Sequence, residues 1–192
     1  MTDKHEKYEY AIDNLGLSEE EQKYISNLQS VEFFKKGTIF LSEGQIVDKC
    51  YHVINGCVRK YHLKDGEEKT TDFYLELDSI STRPGSKNIV KAKFNLECVE
   101  DTELTVISSE QENILYEKFP RFQAMCRIST ELKLEEYQEK LSRFISSSPE
   151  ERYLDVMENR PELLNRVPQY QLASYLGVKP ESLSRIRKRL MV

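Results

Sequence analysis

Three charged residues near the end of the chain recur at helical spacing. Glu181, Arg185 and Lys188 stand at positions i, i+4 and i+7 of the stretch PESLSRIRKRL, so a helix places them on one face. Arginine can bond a guanine edge twice, glutamate can accept from the cytosine amino group, and lysine neutralises phosphates. The pattern predicts a surface that reads duplex DNA. Further candidate contacts are Gln169, Ser182, Ser184 and Arg189. The plainer interpretation is a solvated ion pair between Glu181 and Arg185 on an ordinary surface helix.

Proline and glycine position that face. One helix is expected over residues 168–177, where Gly177 allows the left-handed backbone of a sharp turn. Pro180 then opens a second helix as its first residue. Leu183, Ile186 and Leu190 fall on the face opposite the charges and would pack inward. The sequence therefore predicts a helix-turn-helix.

Charge is distributed unevenly along the chain. The whole chain has 192 residues and a formal net charge of -5, yet residues 148–192 hold eight Lys and Arg against six Asp and Glu. Five of those eight basic residues lie between Lys179 and Arg189. An acidic body with a basic tip indicates a polyanionic partner at the carboxyl end.

Other chemistry is poorly supported. Cys50, His52, Cys57 and His62 match no common zinc spacing, so buried thiols in a reducing compartment are the better interpretation, and no metal or cofactor is expected. No nucleophile–base pair or paired carboxylates stand out, which argues against an enzyme. The amino-terminal stretch has no apolar signal segment, and no apolar run is long enough to cross a membrane, so the expected location is the cytoplasm.

Residues 31–108 have the pattern of many short strands. Apolar and polar residues alternate, β-branched and aromatic types are frequent, and turn signals divide the runs. Asn55-Gly56 and Asp65-Gly66 are both expected to form hairpin turns, since glycine supplies a positive φ. Strands at this spacing indicate a sandwich or barrel.

Helical patterns flank the strands. Ser18 and Glu21 form a capping-box signal in a helix before the strands, and Ser148, Pro149 and Glu151 form another at the start of a helix that Pro161 ends. Between them a long helix is expected over residues 121–145. Its apolar residues could pack onto its own domain or pair with a second copy of the chain. The predicted dimer contacts are Met125, Ile128, Leu132 and Leu141.

The combination of these segments resembles the Crp/Fnr transcription regulators. The resemblance is carried by KKGTIFLSEGQ, YHVINGCVRKYHLKDGEEKTTDFYL and LECVEDTELTVIS, and by the closing series SPEERY, RVPQ, LASYLG and PESLSRIRK. It covers residues 31–190 and includes four turn glycines, Gly37, Gly44, Gly56 and Gly66. It implies a jelly-roll sensor domain, a dimerising helix and a DNA-reading helix.

The sequence departs from the family at several points. In the family's recognition pattern R-E-x-x-x-R, Glu181 and Arg185 match, but Pro180 replaces the first arginine. The thiolate pattern of oxygen-sensing members is absent, and the β-hairpin wing that often follows the second helix is not expected here. Members that bind cyclic nucleotides hold the phosphate with Gly-Glu and Arg-Ser/Thr-Ala segments. Ser81-Thr82 and Ala92 occupy the Gly-Glu and arginine positions here, with Lys93 and Arg83 as the nearby cations.

The expected fold is α+β, with a jelly-roll sensor domain over residues 1–120, a dimerisation helix over 121–147 and a helix-turn-helix domain over 148–192. The expected function is that of a dimeric, sequence-specific DNA-binding transcription regulator whose effector is unknown and is not cyclic AMP. Candidate partners are duplex DNA, a second copy of the chain, a small-molecule effector and RNA polymerase, with no membrane. The alternative is a β-roll module that binds a ligand or a protein, without specific DNA binding.

Overall fold

The computed structural model describes residues 16–82 and 90–190. The chain forms two compact units, residues 1–115 and 116–192. The first contains a helix, eight strands and the start of a second helix. Their bounds are α1 (Glu19–Leu28), β1 (Ser30–Phe34), β2 (Ile39–Leu41), β3 (Lys49–Asn55), β4 (Val58–Lys64), β5 (Glu67–Tyr74), β6 (Ser79–Ser81), β7 (Asn95–Cys98), β8 (Thr102–Ser108) and α2 (Ser109–Lys118).

The strands form a sandwich of two antiparallel four-stranded sheets. One sheet has the order β1-β8-β3-β6 and the other β2-β7-β4-β5. Alternate side chains of both sheets point between them and form one apolar core, which includes Val53, Val58, Leu96 and Leu104, each 0% exposed. The predicted jelly-roll architecture is confirmed, because strands adjacent in sequence repeatedly lie in opposite sheets.

The two predicted hairpin turns have different outcomes. Asp65 and Gly66 take φ values of 54° and 80° between the paired strands β4 and β5, so this hairpin is confirmed. The prediction of a hairpin at Asn55-Gly56 is wrong, because β3 and β4 belong to different sheets. Gly56 instead turns the chain from one sheet to the other with φ 113°. A β-carbon there would lie 2.8 Å from the Thr102 Cα, so glycine is required by space as well as by φ.

The amino-terminal helix begins where its capping box predicts. The Ser18 hydroxyl accepts from the Glu21 N–H, and the Glu21 carboxylate accepts from the Ser18 N–H, which satisfies two amides at the start of α1. The sequence predicts helix over the first thirty residues, and the part of that prediction before residue 16 lies outside the described residues. At the other end, the Gln111 side chain donates to the Leu28 carbonyl at 2.6 Å and so attaches α1 to α2.

The second unit is helical. Its elements are α3 (Pro120–Ser146), α4 (Pro149–Asn159), α5 (Leu163–Arg166), α6 (Gln169–Tyr175) and α7 (Pro180–Leu190). The long helix and the capping box of Ser148 and Glu151 are confirmed. The one-turn helix α5 was not predicted, because its four residues are too few to show a period. No helix in the described ranges, 16–82 and 90–190, is long and apolar enough to span a bilayer.

Candidate nucleic-acid interface and effector cassette

The turn between α6 and α7 is fixed by backbone hydrogen bonds at the carboxyl end of α6. Gly177 has φ 70° and donates to the Ser174 carbonyl at 3.1 Å, and Val178 donates to the Ala173 carbonyl at 2.9 Å. These two bonds form a Schellman motif, which satisfies carbonyls that have no partner inside the helix. The chain therefore leaves α6 in one defined direction.

Apolar packing decides which face of α7 points outward. Leu183 and Ile186 are 0% and 4% exposed. Buried side chains also occur on the neighbouring helices, namely Tyr153, Leu163, Leu172 and Ala173, and at Leu176 just after α6. Ala173 is fully buried, as expected where two short helices cross closely. Because Leu183 and Ile186 are buried, the polar residues between them face solvent.

The outward face of α7 carries the predicted base-reading residues. Glu181, Ser184, Arg185 and Lys188 are exposed, and Ser182 is half-buried. Arg185 donates from Nη2 to the Ser182 hydroxyl at 3.3 Å. Within residues 90–190, no ion pair joins Glu181 to Arg185. The structure therefore does not support the plainer interpretation, in which these two residues form a surface ion pair.

The two remaining candidate contacts have different surroundings. Gln169 is exposed at the first position of α6. Arg189 forms an ion pair with Glu150 of α4, with 2.9 Å between Nη2 and Oε2. Both side chains are substantially exposed, at 64% and 40%, so this pair stabilises the fold little and leaves Arg189 able to exchange partners. Arg187, Lys188 and Arg189 together make the last turn of α7 basic.

The long helix α3 presents apolar side chains to solvent. Ile128, Leu132 and Leu141 are 51%, 61% and 60% exposed, and Met125 is half-buried. The same exposed set includes Leu134, Tyr137, Phe144 and Ile145. The predicted contact residues thus lie on one helix, and most of their apolar surface remains uncovered in the single chain. A soluble monomer rarely leaves a row of large apolar residues in water.

The residues at the cyclic-nucleotide cassette positions are already engaged. Ala92 is 4% exposed; its N–H donates to the Gln45 carbonyl and its carbonyl accepts from Gly44, both at 2.8 Å. The Thr82 hydroxyl donates to the Lys49 carbonyl. Ser81 ends β6, where it pairs with Cys50. Arg83 lies outside the described residues, and Lys93 is exposed. The Ala92 N–H and the Thr82 hydroxyl are therefore bonded within the domain rather than directed at a phosphate.

A cation that sequence reasoning missed lies on the core side of the second sheet. Lys60 pairs with Leu96 and Asp72 across the strands, two residues from Val58 of the core. Its ammonium lies 4.2 Å from the centre of the Phe94 ring. Burial lowers the pKa of Lys60, and the negative charge of Asp72 opposes that shift. The alternation of Val58 and Lys60 in β4 was the signal that could have revealed it.

The opposite face of the same strand holds a second missed cation. Arg59 is 1% exposed, forms ion pairs with Glu68 and Glu97, and stacks 4.1 Å above the Tyr61 ring. Burial raises the pKa of Glu97 although Arg59 acts in the opposite direction. The two carboxylates compensate the buried guanidinium, so Arg59 has a structural explanation.

Clusters of metal-ligating side chains are absent from the described parts of the chain: no three His, Cys, Asp or Glu residues converge there. His52, one of the residues considered as a ligand, instead has Nδ1 2.8 Å from the Ser79 hydroxyl. Cys57 is buried, and Cys50 is half-buried.

Comparison with known proteins agrees with this geometry. Residues 31–118 match the family model described as Cyclic nucleotide-binding domain. FixK2 from Bradyrhizobium japonicum superposes with a TM-score of 0.71 at 17% identity, over 85% of this chain and 84% of its own. The global regulator CLP from Xanthomonas campestris gives 0.71 at 18% identity, over 91% and 92%. This chain has the fold of the Crp/Fnr regulators.

A third structure of the Crp/Fnr fold shows the same agreement. It is a putative regulator of the crp/fnr family from Eubacterium rectale, with a TM-score of 0.68 at 17% identity, over 92% of this chain and 84% of that one. No curated protein sequence matches the chain. The resemblance inferred from the turn glycines and the final motif is thus confirmed at the level of the fold.

Proposed function

We propose that the protein is a dimeric, sequence-specific DNA-binding transcription regulator of the Crp/Fnr type. The observation that carries the proposal is the outward face of α7, where Glu181, Arg185 and Lys188 lie exposed on one side of a helix whose other side is buried. A helix held in this way can enter a major groove with its first turns toward the bases. Glu181 and Arg185 would read base edges, and Lys188 would contact phosphate.

The polar neighbours fit supporting roles. Ser182 and Ser184 lie beside the reading residues in the first two turns of α7, and Gln169 lies at the amino end of α6, an end that commonly meets a phosphate. Arg189 would exchange its exposed partner Glu150 for the DNA backbone. This division leaves base discrimination to α7 and general affinity to the residues around it.

Dimerisation through α3 is the second part of the proposal. Met125, Ile128 and Leu132 form one apolar stripe on α3, and Leu141 belongs to a second stripe that begins after a slip of phase between Leu132 and Leu134. The two exposed stripes offer apolar contacts for the same helix of a second chain. A two-fold dimer would present two α7 helices about 34 Å apart, the length of one DNA turn. We assign residues 1–120 to the sensor domain, 121–147 to the dimerisation helix and 148–192 to the DNA-binding domain.

Effector recognition is the third part of the proposal. The structurally similar regulator CLP is responsive to c-di-GMP, so a protein with this fold can respond to an anionic nucleotide. In this chain Ser81, Thr82 and Ala92 replace the phosphate-binding elements, and Thr82 and Ala92 are bonded within the domain. We propose that cyclic AMP is not the effector and that any ligand uses other contacts. RNA polymerase remains an expected partner of the DNA-bound form.

Selection from random duplexes, followed by a salt titration, tests the function. The full chain should recover a palindromic site, and the affinity should fall by about a thousandfold between about 50 and about 200 mM salt as counterions are released. Arg127→Ala removes one exposed positive charge from α3 and serves as the control for a nonspecific effect of net charge; it should bind the selected site as the wild type does. Failure to select any sequence, with binding to DNA weak and unspecific, would favour the alternative of a ligand- or protein-binding module.

A further inference from the structure

One arginine connects the carboxyl ends of two helices in the second unit. Arg152 of α4 donates from Nε to the Leu176 carbonyl at 3.0 Å. From Nη1 it donates to the Phe144 carbonyl at 3.1 Å and to the Ser147 carbonyl at 2.7 Å. Its guanidinium carbon also lies 4.5 Å from the centre of the Phe144 ring. Leu176 is the C-cap residue of α6, Ser147 is the C-cap residue of α3, and Phe144 lies in the last turn of α3.

These carbonyls are the ones that most need a partner. The last four carbonyls of a helix have no donor within the helix, and the end carries a partial negative charge. A guanidinium suits this place because its donors point in several fixed directions and its charge strengthens each bond. Arg152 therefore neutralises two helix ends at once, which a lysine could not do with the same geometry.

Close packing beside Arg152 strengthens the connection. A β-carbon on Gly177 would stand 3.2 Å from the Phe144 ring and 3.8 Å from Nη2 of Arg152, so the turn of the helix-turn-helix lies directly against the end of α3. Lys140 of α3 adds a second contact, with its ammonium 5.4 Å from the centre of the Tyr175 ring in α6. Two separate cation–aromatic contacts thus join α3 to the recognition unit, by which we mean helices α4 to α7.

The short segment between α3 and α4 is also hydrogen-bonded. Ser147 donates its N–H to the Arg143 carbonyl at 2.9 Å, and Ser148 donates its N–H to the Glu151 carboxylate at 2.7 Å. A segment that served as a loose hinge would leave these amides to water. Here both are bonded, and the Ser147 carbonyl is bonded to Arg152.

We infer that Arg152 is a positioning residue that fixes the helix-turn-helix to the end of α3, so that α3 alone sets the distance between the two recognition helices. The inference rests on the proposed function for its consequence, because the distance matters only in a dimer on DNA. A fixed unit needs no ligand to orient α7. The dimer should therefore bind its site without an effector and should discriminate strongly between half-site spacings.

Spacing of the half-sites is the measurement that separates positioning from general stability. On the palindrome recovered by selection, the wild type should lose on the order of a hundredfold in affinity when about five base pairs, half a turn, are inserted between the half-sites. Arg152→Ala should bind the optimal site less tightly and lose less than about tenfold on the same insertion, because its recognition units can rotate. Equal penalties in the two proteins would overturn the inference.

Two matched variants define the cause. Arg152→Lys keeps the positive charge but loses the several fixed donors of the guanidinium. It should therefore resemble Arg152→Ala in how its affinity depends on half-site spacing, and a wild-type dependence would overturn the role of the guanidinium geometry. If the alanine variant fails to fold, the lysine variant carries the test. Arg127→Ala should keep the wild-type profile. Light scattering should show the same dimer for all four proteins.

Amide hydrogen exchange tests the connection without DNA. In Arg152→Ala, peptides covering residues 143–149 and 174–178 should exchange at least about tenfold faster, while peptides from the β-sandwich stay unchanged. Unchanged exchange in both segments would overturn the inference even if DNA binding is found. A wild type that selects no DNA would refute the proposed function, and the exchange comparison would still decide the role of Arg152.

Discussion

The ring of Phe144, near the end of α3, lies 3.2 Å from the point where a β-carbon would stand on Gly177, in the turn before the recognition helix. Gly177 also has φ 70°, a left-handed conformation that other residues adopt with strain. Two demands therefore act on one position. The turn needs an unusual backbone, and the helix beside it leaves almost no space for a side chain.

Gly177→Ala should destabilise the second unit by about 1–2 kcal/mol through backbone strain, with an added cost if Phe144 cannot move. Thermal unfolding monitored by circular dichroism measures the change. Gly66 is the matched control, because it has φ 80° but open space around the missing β-carbon. If Gly177→Ala lowers the stability by no more than Gly66→Ala does, the contact with Phe144 adds no cost.

Thiol reactivity should follow burial. Cys126 is exposed on α3, whereas Cys98 is 0% exposed and its pKa is raised to about 11, chiefly by burial. Near neutral pH an alkylating reagent should therefore label Cys126 readily and Cys98 only after unfolding, since the thiolate is the reactive form. Peptide mass spectrometry identifies the labelled residue. Labelling of Cys98 in the folded chain at a rate similar to that of Cys126 would contradict the assigned environment.

The raised pKa of Cys98 also predicts a pH dependence of stability. A group whose pKa is raised on folding contributes stability below its unfolded pKa of about 9 and loses that contribution as the pH rises toward about 11. The difference in the free energy of unfolding between wild type and Cys98→Ala should therefore shrink over this window. A constant difference across it would mean that Cys98 does not titrate as described.

Local signals in the sequence predicted much of the fold. The capping boxes of Ser18 and Ser148 and the glycine of the α6–α7 turn each depend on a few adjacent residues, and all three are present. The outward face of α7 followed from the apolar spacing of Leu183 and Ile186 alone. Such features are readable because the residues that create them lie within one or two helical turns.

Features that depend on distant pairing were missed or mistaken. Asn55-Gly56 has the composition of a hairpin turn, but which strands pair is decided by the whole sandwich, and here the turn connects two sheets. The buried Arg59 requires Glu97, which is remote in sequence. The contacts of Arg152 with Leu176 were likewise invisible, because its side chain and that carbonyl are brought together only by folding.

Arg185→Ala and Lys188→Ala should weaken DNA binding in different ways. Loss of Arg185 should remove discrimination at one base pair of each half-site, on the order of 1–3 kcal/mol, because a bidentate contact to a base carries sequence information. Loss of Lys188 should weaken binding to all sequences alike and reduce the salt dependence. Affinities for the selected site, its point variants and random DNA provide the measurement. Equal losses on specific and random DNA for both variants would remove Arg185 from the base-reading role.

A negative charge among the exposed apolar residues of α3 should break the dimer. Leu141 is 60% exposed in the single chain, and in a two-fold dimer through α3 it would meet its own copy or a neighbouring apolar residue. Leu141→Glu should therefore give a monomer by light scattering and abolish tight binding to the palindrome together, because one recognition helix alone lacks the second half-site. Leu132→Glu should do the same. Gln138→Glu, on the same helix, is the control for added charge.

A monomeric Leu141→Glu variant that still protects a palindromic site with full affinity would refute dimerisation through α3 as the requirement for binding. Retention of the dimer in both leucine variants would instead place the contact on another surface. Circular dichroism should show that both variants remain folded, since neither leucine is buried within the single chain.

Cyclic AMP and cyclic GMP should not bind with micromolar affinity. A buried cyclic phosphate carries a full negative charge, and removing it from water is costly unless backbone N–H groups and a paired cation replace the lost solvation. The Ala92 N–H donates to the Gln45 carbonyl, and the Thr82 hydroxyl donates to the Lys49 carbonyl. Lys93 is an exposed point charge that lacks the paired donors of an arginine guanidinium.

Calorimetry with each nucleotide at about millimolar concentration should show no saturable heat. Ala92→Arg in the same experiment measures whether restoring the cation suffices, and it should gain little, because the N–H at position 92 and the Thr82 hydroxyl remain bonded within the domain. Saturable micromolar binding by the wild type would show that the nucleotide is held by residues other than those at the cassette positions.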